Sequence, residues 1–123
     1  MTTRALLLSG LLALTVFGAV QTAPASPERR VVVVVDAAAG RDPAVLAEAR
    51  TAVQRAGGEA QLRVPRNATE QLSVTHYFAA RGYSLVVGVG LNHPVAITPV
   101  AARYPDTRFV TAAPGEVGPA VAN

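Results

Sequence analysis

The apolar positions of the chain fall into two different periods. Val31 to Val35 is a run of five valines. A β-branched run without polar alternation is the pattern of a strand buried on both faces, and such strands belong to parallel sheets covered by helices. Tyr83 to Val89 is a second apolar strand, and its end, Gly88-Val89-Gly90, runs into a turn with Asn92 and His93. Two weaker strands complete the set. Glu59 to Val64 alternates loosely and stops at Pro65, as a strand nearer a sheet edge does, and Thr107 to Thr111 is the last.

Helical spacing fills the intervals. Asp42 is placed as an N-cap with Pro43 at the first helical position. Val45, Ala49, Ala52, Val53 and Ala56 then share one face until Gly57-Gly58 stops the helix. Asn67 and Glu70 predict a reciprocal capping box opening a second helix that runs to Arg81. The same Asn67-Ala68-Thr69 fits a glycosylation sequon, but capping accounts for it better. A third helix lies within Asn92 to Tyr104, and Pro99 is tolerated there if the helix starts at Thr98-Pro99. Pro114 to Asn123 holds two glycines and two prolines and is expected to be an irregular tail.

Strand, helix, strand, helix, strand, helix, strand is the order of an α/β fold. Right-handed crossovers then predict an open parallel sheet of about four strands, order 2-1-3-4, with helices on both faces. Strands one and three are neighbours where the winding reverses, and ligands in open α/β sheets bind at the carboxyl ends of strands at that reversal. Those ends are Asp36 to Asp42 and Gly88 to His93. The same arrangement puts one helix on the first face and two on the second. Val86, Phe109 or their neighbours are therefore expected to be exposed, and dimerisation or a partner chain is expected to cover them.

Composition adds a compartment. Thr2-Thr3-Arg4, the uncharged run of 16 residues from Ala5 to Val20, and Ala23-Pro24-Ala25 form a secretory signal pattern over residues 1–25. An uncleaved anchor is the alternative, although 16 residues is short of the roughly 20 that span a bilayer. Residues 26–30 read as a linker and 31–113 as the α/β domain. The chain has no cysteine, which excludes disulfides and thiolate metal sites. All 11 basic residues are Arg, a coding bias rather than a functional signal. Without Arg4, ten Arg face eight acidic residues, a net of +2. The Arg are scattered and lack interleaved aromatic platforms, so nucleic acid is not an expected partner.

Candidate chemistry is sparse. Gly88 and Gly90 are not a dinucleotide fingerprint, because His93 stands where the third glycine would be. They either let a ligand approach the backbone or let the strand pack tightly on a helix. Asp36 and Asp42 flank the first loop and could accept ligand hydroxyls, although Asp42 also suffices as a cap. His76 and His93 lack the carboxylate partners of a metal site, and no nucleophile and positioned base can be assigned. Neither an enzyme, a metal nor a cofactor is expected.

Several of these stretches together resemble the basic membrane protein family, the nucleoside-type substrate-binding proteins of ABC transporters. The similar segments are Val31 to Asp36 with Gly40-Arg41-Asp42, then Arg81-Gly82-Tyr83-Ser84-Leu85-Val86-Val87-Gly88-Val89-Gly90, then Ala101-Ala102-Arg103-Tyr104-Pro105-Asp106-Thr107-Arg108-Phe109. The resemblance implies half of a type I periplasmic-binding fold, the N-terminal lobe alone. It implies a nucleoside-like solute held by Asp36, Asp42, Gly88, Gly90, Asn92 and His93, and a membrane permease, a homodimer or a second-lobe chain as partner. The chain departs from the family at Pro43-Ala44-Val45, where Ser-Phe-Asn is usual, at Leu91, where an aromatic residue often stacks on a base, and at Ala112-Ala113, where an Asp ends the strand. A solute held by one lobe buries less than the 70–90% typical of a pocketed ligand. A non-catalytic interaction module is the alternative reading.

Overall fold

Four parallel strands form one sheet in the order β2-β1-β3-β4: β1 (Arg30–Val35), β2 (Glu59–Arg63), β3 (Leu85–Val89) and β4 (Arg108–Ala112). The computed structural model describes residues 29–91 and 97–122. The expected signal segment (1–25), Ser26 to Glu28 of the expected linker, Asn92 and His93 lie outside the described residues. Each strand is followed by helical structure: a short 3-10 turn (Ala39–Arg41) and α1 (Pro43–Arg55), then α2 (Ala68–Ala80), α3 (Thr98–Ala101) and α4 (Val117–Ala122). The α/β class and the strand order are those the alternating pattern predicts.

The valine run is the centre of the molecule. Val31 to Val35 are all fully buried, paired on one side with Ala60 to Arg63 and on the other with Leu85 to Val89. Alternation splits them between two cores. Val31, Val33 and Val35 join Leu85, Val87 and Val89 beneath α1 and α4, while Val32, Val34 and Val86 join Phe78, Tyr83, Leu91 and Ile97 on the α2 side. Full burial of a Val side chain is worth about 1.5–3 kcal/mol, so these five outweigh any other segment of their length.

Helix ends follow the cap chemistry. Asp42 accepts a hydrogen bond from the Ala44 amide at 2.9 Å, with Pro43 opening α1. Asn67 Oδ1 accepts from the Glu70 amide at 2.8 Å. The return half of that box differs from expectation. The Glu70 carboxylate accepts from the Arg66 amide at 3.1 Å and the Arg66 guanidinium at 3.3 Å, because the arginine just ahead of the cap offers both a donor and a charge. The third helix starts at Thr98, with Pro99 in its first turn.

The C-terminal segment is where the structure departs most from the sequence reading. Instead of an irregular tail, Val117–Ala122 is a helix that packs on α1, β3 and β4. Pro119 falls within its first turn, where the missing N–H would have had no intrahelical partner. Val117 and Val121, four residues apart, are both buried. They supply, from the same chain, the helix that the first face of β3 and β4 was expected to lack. Val86, expected to be exposed, is fully buried, and with half-buried Phe109 it belongs to the opposite face.

Candidate functional site

Register brings the ends of β1 and β3 together. Val35 pairs with Val89, and the ladder continues one step further as the Asp36 amide donates to the Val89 carbonyl at 3.0 Å. Asp36 and Gly90 are thus adjacent at the carboxyl end of the sheet, at the point where strand order reverses. Asp36 is held by its own loop: Oδ1 accepts from the Ala39 amide at 2.7 Å, and the Asp36 carbonyl accepts from the Gly40 amide at 2.8 Å. Oδ2 has no donor among the described residues, and the residue is only partly buried. A carboxylate accepts through both oxygens, so Oδ2 keeps its capacity for an incoming hydroxyl or amine.

Gly90 is required beside it. Its φ is +74°, and a methyl built on it would lie 2.9 Å from Asp36 Oδ2 and 3.0 Å from Cγ. Both the left-handed backbone and the carboxylate against it exclude a larger side chain. The backbone turn here also sends Leu91 back over β3.

That return decides the role of Gly88. A methyl on Gly88 would meet Leu91 Cδ1 at 2.6 Å and Ile97 Cδ1 at 3.3 Å. The space above Gly88 is filled by the chain's own side chains, so this glycine serves packing rather than ligand approach, and Leu91, 8% exposed, lies in the core. Asp42 is also separate from the pair. Its carboxylate caps α1, which leaves Asp36 and Gly90 as the members of the expected set that the described residues bring together. Asn92 and His93 lie outside those residues.

Two polar arrangements were not foreseen. At the opposite, amino end of the sheet the Tyr83 hydroxyl donates to Glu59, the Gln61 amide donates to Tyr83 at 3.0 Å, and Arg30 lies 3.4 Å from Glu59 and 4.6 Å from the Tyr83 ring centre. The hydroxyl, followed by the Arg30 charge, holds the Glu59 carboxyl below its ordinary pKa, although burial opposes the shift. Burial, followed by the hydrogen bond to Glu59, pushes the Tyr83 phenol up. The second arrangement is Glu48, on α1, whose carboxylate accepts from the Gly115 and Val117 amides at 2.7 and 3.0 Å and so fastens the start of α4. Both depend on partners distant in the chain. The one signal in the sequence was that Glu59 and Tyr83 each open a strand.

A groove of about 780 Å3 runs between α1 and α4 and is lined by Glu48, Thr51, Arg55, Gly118 and Pro119 among others. It contains none of the expected site residues. A cleft of about 310 Å3 lies between α2 and α3, lined by Leu72, Ser73, His76, Pro99, Val100 and Arg103. Among the described residues no His, Asp or Glu cluster could hold a metal ion, and no helix is long and apolar enough to cross a membrane.

Comparison with known proteins places the fold but not a family. No family model matches the chain, and no curated protein does. A crystal structure of a fragment from Peptoclostridium difficile 630, provisionally named a lipoprotein, is similar, with a TM-score of 0.61 at 14% identity over 74% of this chain and 89% of that one. At that identity the likeness is one of fold. The resemblance to the basic membrane protein family therefore rests on the quoted segments alone.

Proposed function

We propose that the chain is an extracytoplasmic, non-catalytic solute-binding domain of one lobe. Its polar site is the carboxyl end of β1 and β3, and its ligand is a hydroxylated solute of the nucleoside type. The observation that carries this reading is the Asp36 carboxylate, held through Oδ1, with no donor to Oδ2 among the described residues, beside Gly90 at the reversal of the sheet. Ligands of open α/β folds bind at the carboxyl ends of strands where the strand order reverses, and carboxylates in such folds accept ribose hydroxyls. The signal pattern and the likeness to a fragment named a lipoprotein support export. Because α4 already covers the outer face of β3 and β4, a second lobe, a second copy or a permease would complete the site from above the strand ends rather than from the sheet face.

Calorimetric titration of uridine and adenosine into the exported chain tests the reading. Saturable binding, weakened about tenfold or more by Asp36→Asn, is the expected result, as loss of a hydrogen bond to a charged acceptor implies. Absence of heat and of any thermal shift at millimolar nucleoside contradicts it. A second reading, an interaction module without a solute, is favoured by one observation: Leu91 occupies the space over Gly88 where a ligand would approach the backbone. It predicts that Asp36→Asn is neutral for every function of the chain.

A further inference from the structure

The cleft between α2 and α3 includes neither Asp36 nor Gly90 in its lining and has a chemistry of its own. Its apolar lining is Leu72, Pro99 and Val100, and its polar lining is Arg103, His76 and Ser73, with no Asp or Glu. Tyr104 joins the two nitrogen-bearing groups. Its hydroxyl is 2.8 Å from His76 Nε2 and its ring meets the imidazole edge-on, with centres 5.4 Å apart, while the Arg103 guanidinium lies 6.0 Å from the same ring. When the Tyr104 hydroxyl donates to Nε2, a neutral imidazole carries its proton on Nδ1 and is an N–H donor. The Arg103 guanidinium has no carboxylate partner among the described residues. A cation, an imidazole and a hydroxyl beside apolar side chains, in a volume of about 310 Å3, match the general make-up of small-ligand sites, which are mostly apolar with a few polar groups.

From this we infer that the α2–α3 cleft binds a small amphipathic carboxylate, its apolar body on Leu72, Pro99 and Val100 and its oxyanion toward Arg103 and His76. Guanidinium is the side chain best suited to a carboxylate, through paired N–H donors. The site is independent of the solute reading at the sheet's carboxyl end, and either can fail without the other.

Sodium octanoate, with 1-octanol as its neutral counterpart, is the probe. The readout is the His76 ring resonances in NMR spectra of the exported chain, identified with His93→Gln, which leaves His76 as the single imidazole. Octanoate should shift these resonances saturably, 1-octanol should bind at least about tenfold more weakly, and Arg103→Ala should weaken octanoate by a similar factor. Arg103 is exposed, so this variant is expected to fold, and circular dichroism checks that it does. The inference is overturned if the His76 resonances do not move, if octanol and octanoate saturate alike, or if Arg103→Ala binds octanoate as the parent does. The octanol comparison uses the unaltered chain and does not depend on any variant folding.

Discussion

Two residues at the end of the central strands define what the site can be. Gly90 has a positive φ, and any side chain on it would press on Asp36. Gly90→Ala is expected to cost on the order of 1–2 kcal/mol from the left-handed backbone alone, with a further loss as Asp36 is displaced. Urea unfolding should show a lower midpoint at unchanged slope; a midpoint equal to the parent's would mean that the turn relaxes freely. The pair Glu59 and Tyr83 sets a pH response. The folded pKa of Glu59 is lowered, by the Tyr83 hydroxyl first, so its contribution is present above the ordinary carboxylate value and is lost as pH falls through the folded one. Tyr83 is raised, chiefly by burial, so its contribution is present below the ordinary phenol value and is lost as pH rises through the folded one. The Glu59 side chain is 46% exposed, which keeps its effect small. Glu59→Gln should flatten the acid arm of thermal stability against pH. An acid arm unchanged in that variant would assign the response to other carboxylates.

At the level of elements, the least expected one closes the fold. Glu48 fastens the start of α4 by accepting two hydrogen bonds from backbone amides, and Val117 and Val121 share a core cluster with Leu85, Val87, Val89 and Ala112. Glu48→Ala removes a charged acceptor from a helix start, worth about 2 kcal/mol by the usual range for such bonds. Hydrogen exchange should quicken first at residues 117–122. Uniform quickening across the sheet would show that α4 is not a separately released unit. This helix also marks the limit of what the sequence discloses. The valine run, the Asp42-Pro43 start, the Asn67 cap and the glycines after α1 each act through neighbours in the chain, so composition and spacing sufficed for the four strands and their order. The segment Val117 to Ala122 offers two apolar contacts one turn apart around a Gly-Pro pair, too few for a period, and only the packing against α1 makes it helical. The site was legible in the same measure. Adjacency of Asp36 and Gly90 follows from strand order and register, whereas the filling of Gly88 by Leu91 follows from a chain reversal that no spacing rule contains.

For the whole molecule, these features describe a four-stranded α/β domain with helices on both faces of its sheet and with polar groups at the strand ends, in the α1–α4 groove and in the α2–α3 cleft. The partner expected on an open sheet face has no such face to cover on the α1–α4 side, because α4 lies there. A partner of the proposed solute site would meet the chain at Asp36 and Gly90. Backbone amide shifts of residues 26–123 during titration with uridine measure this most directly. The account predicts saturable shifts concentrated at Asp36 to Gly40 and Val89 to Leu91 that are lost in Asp36→Asn. Shifts absent from those amides at millimolar uridine, or equal in the parent and in Asp36→Asn, would contradict it.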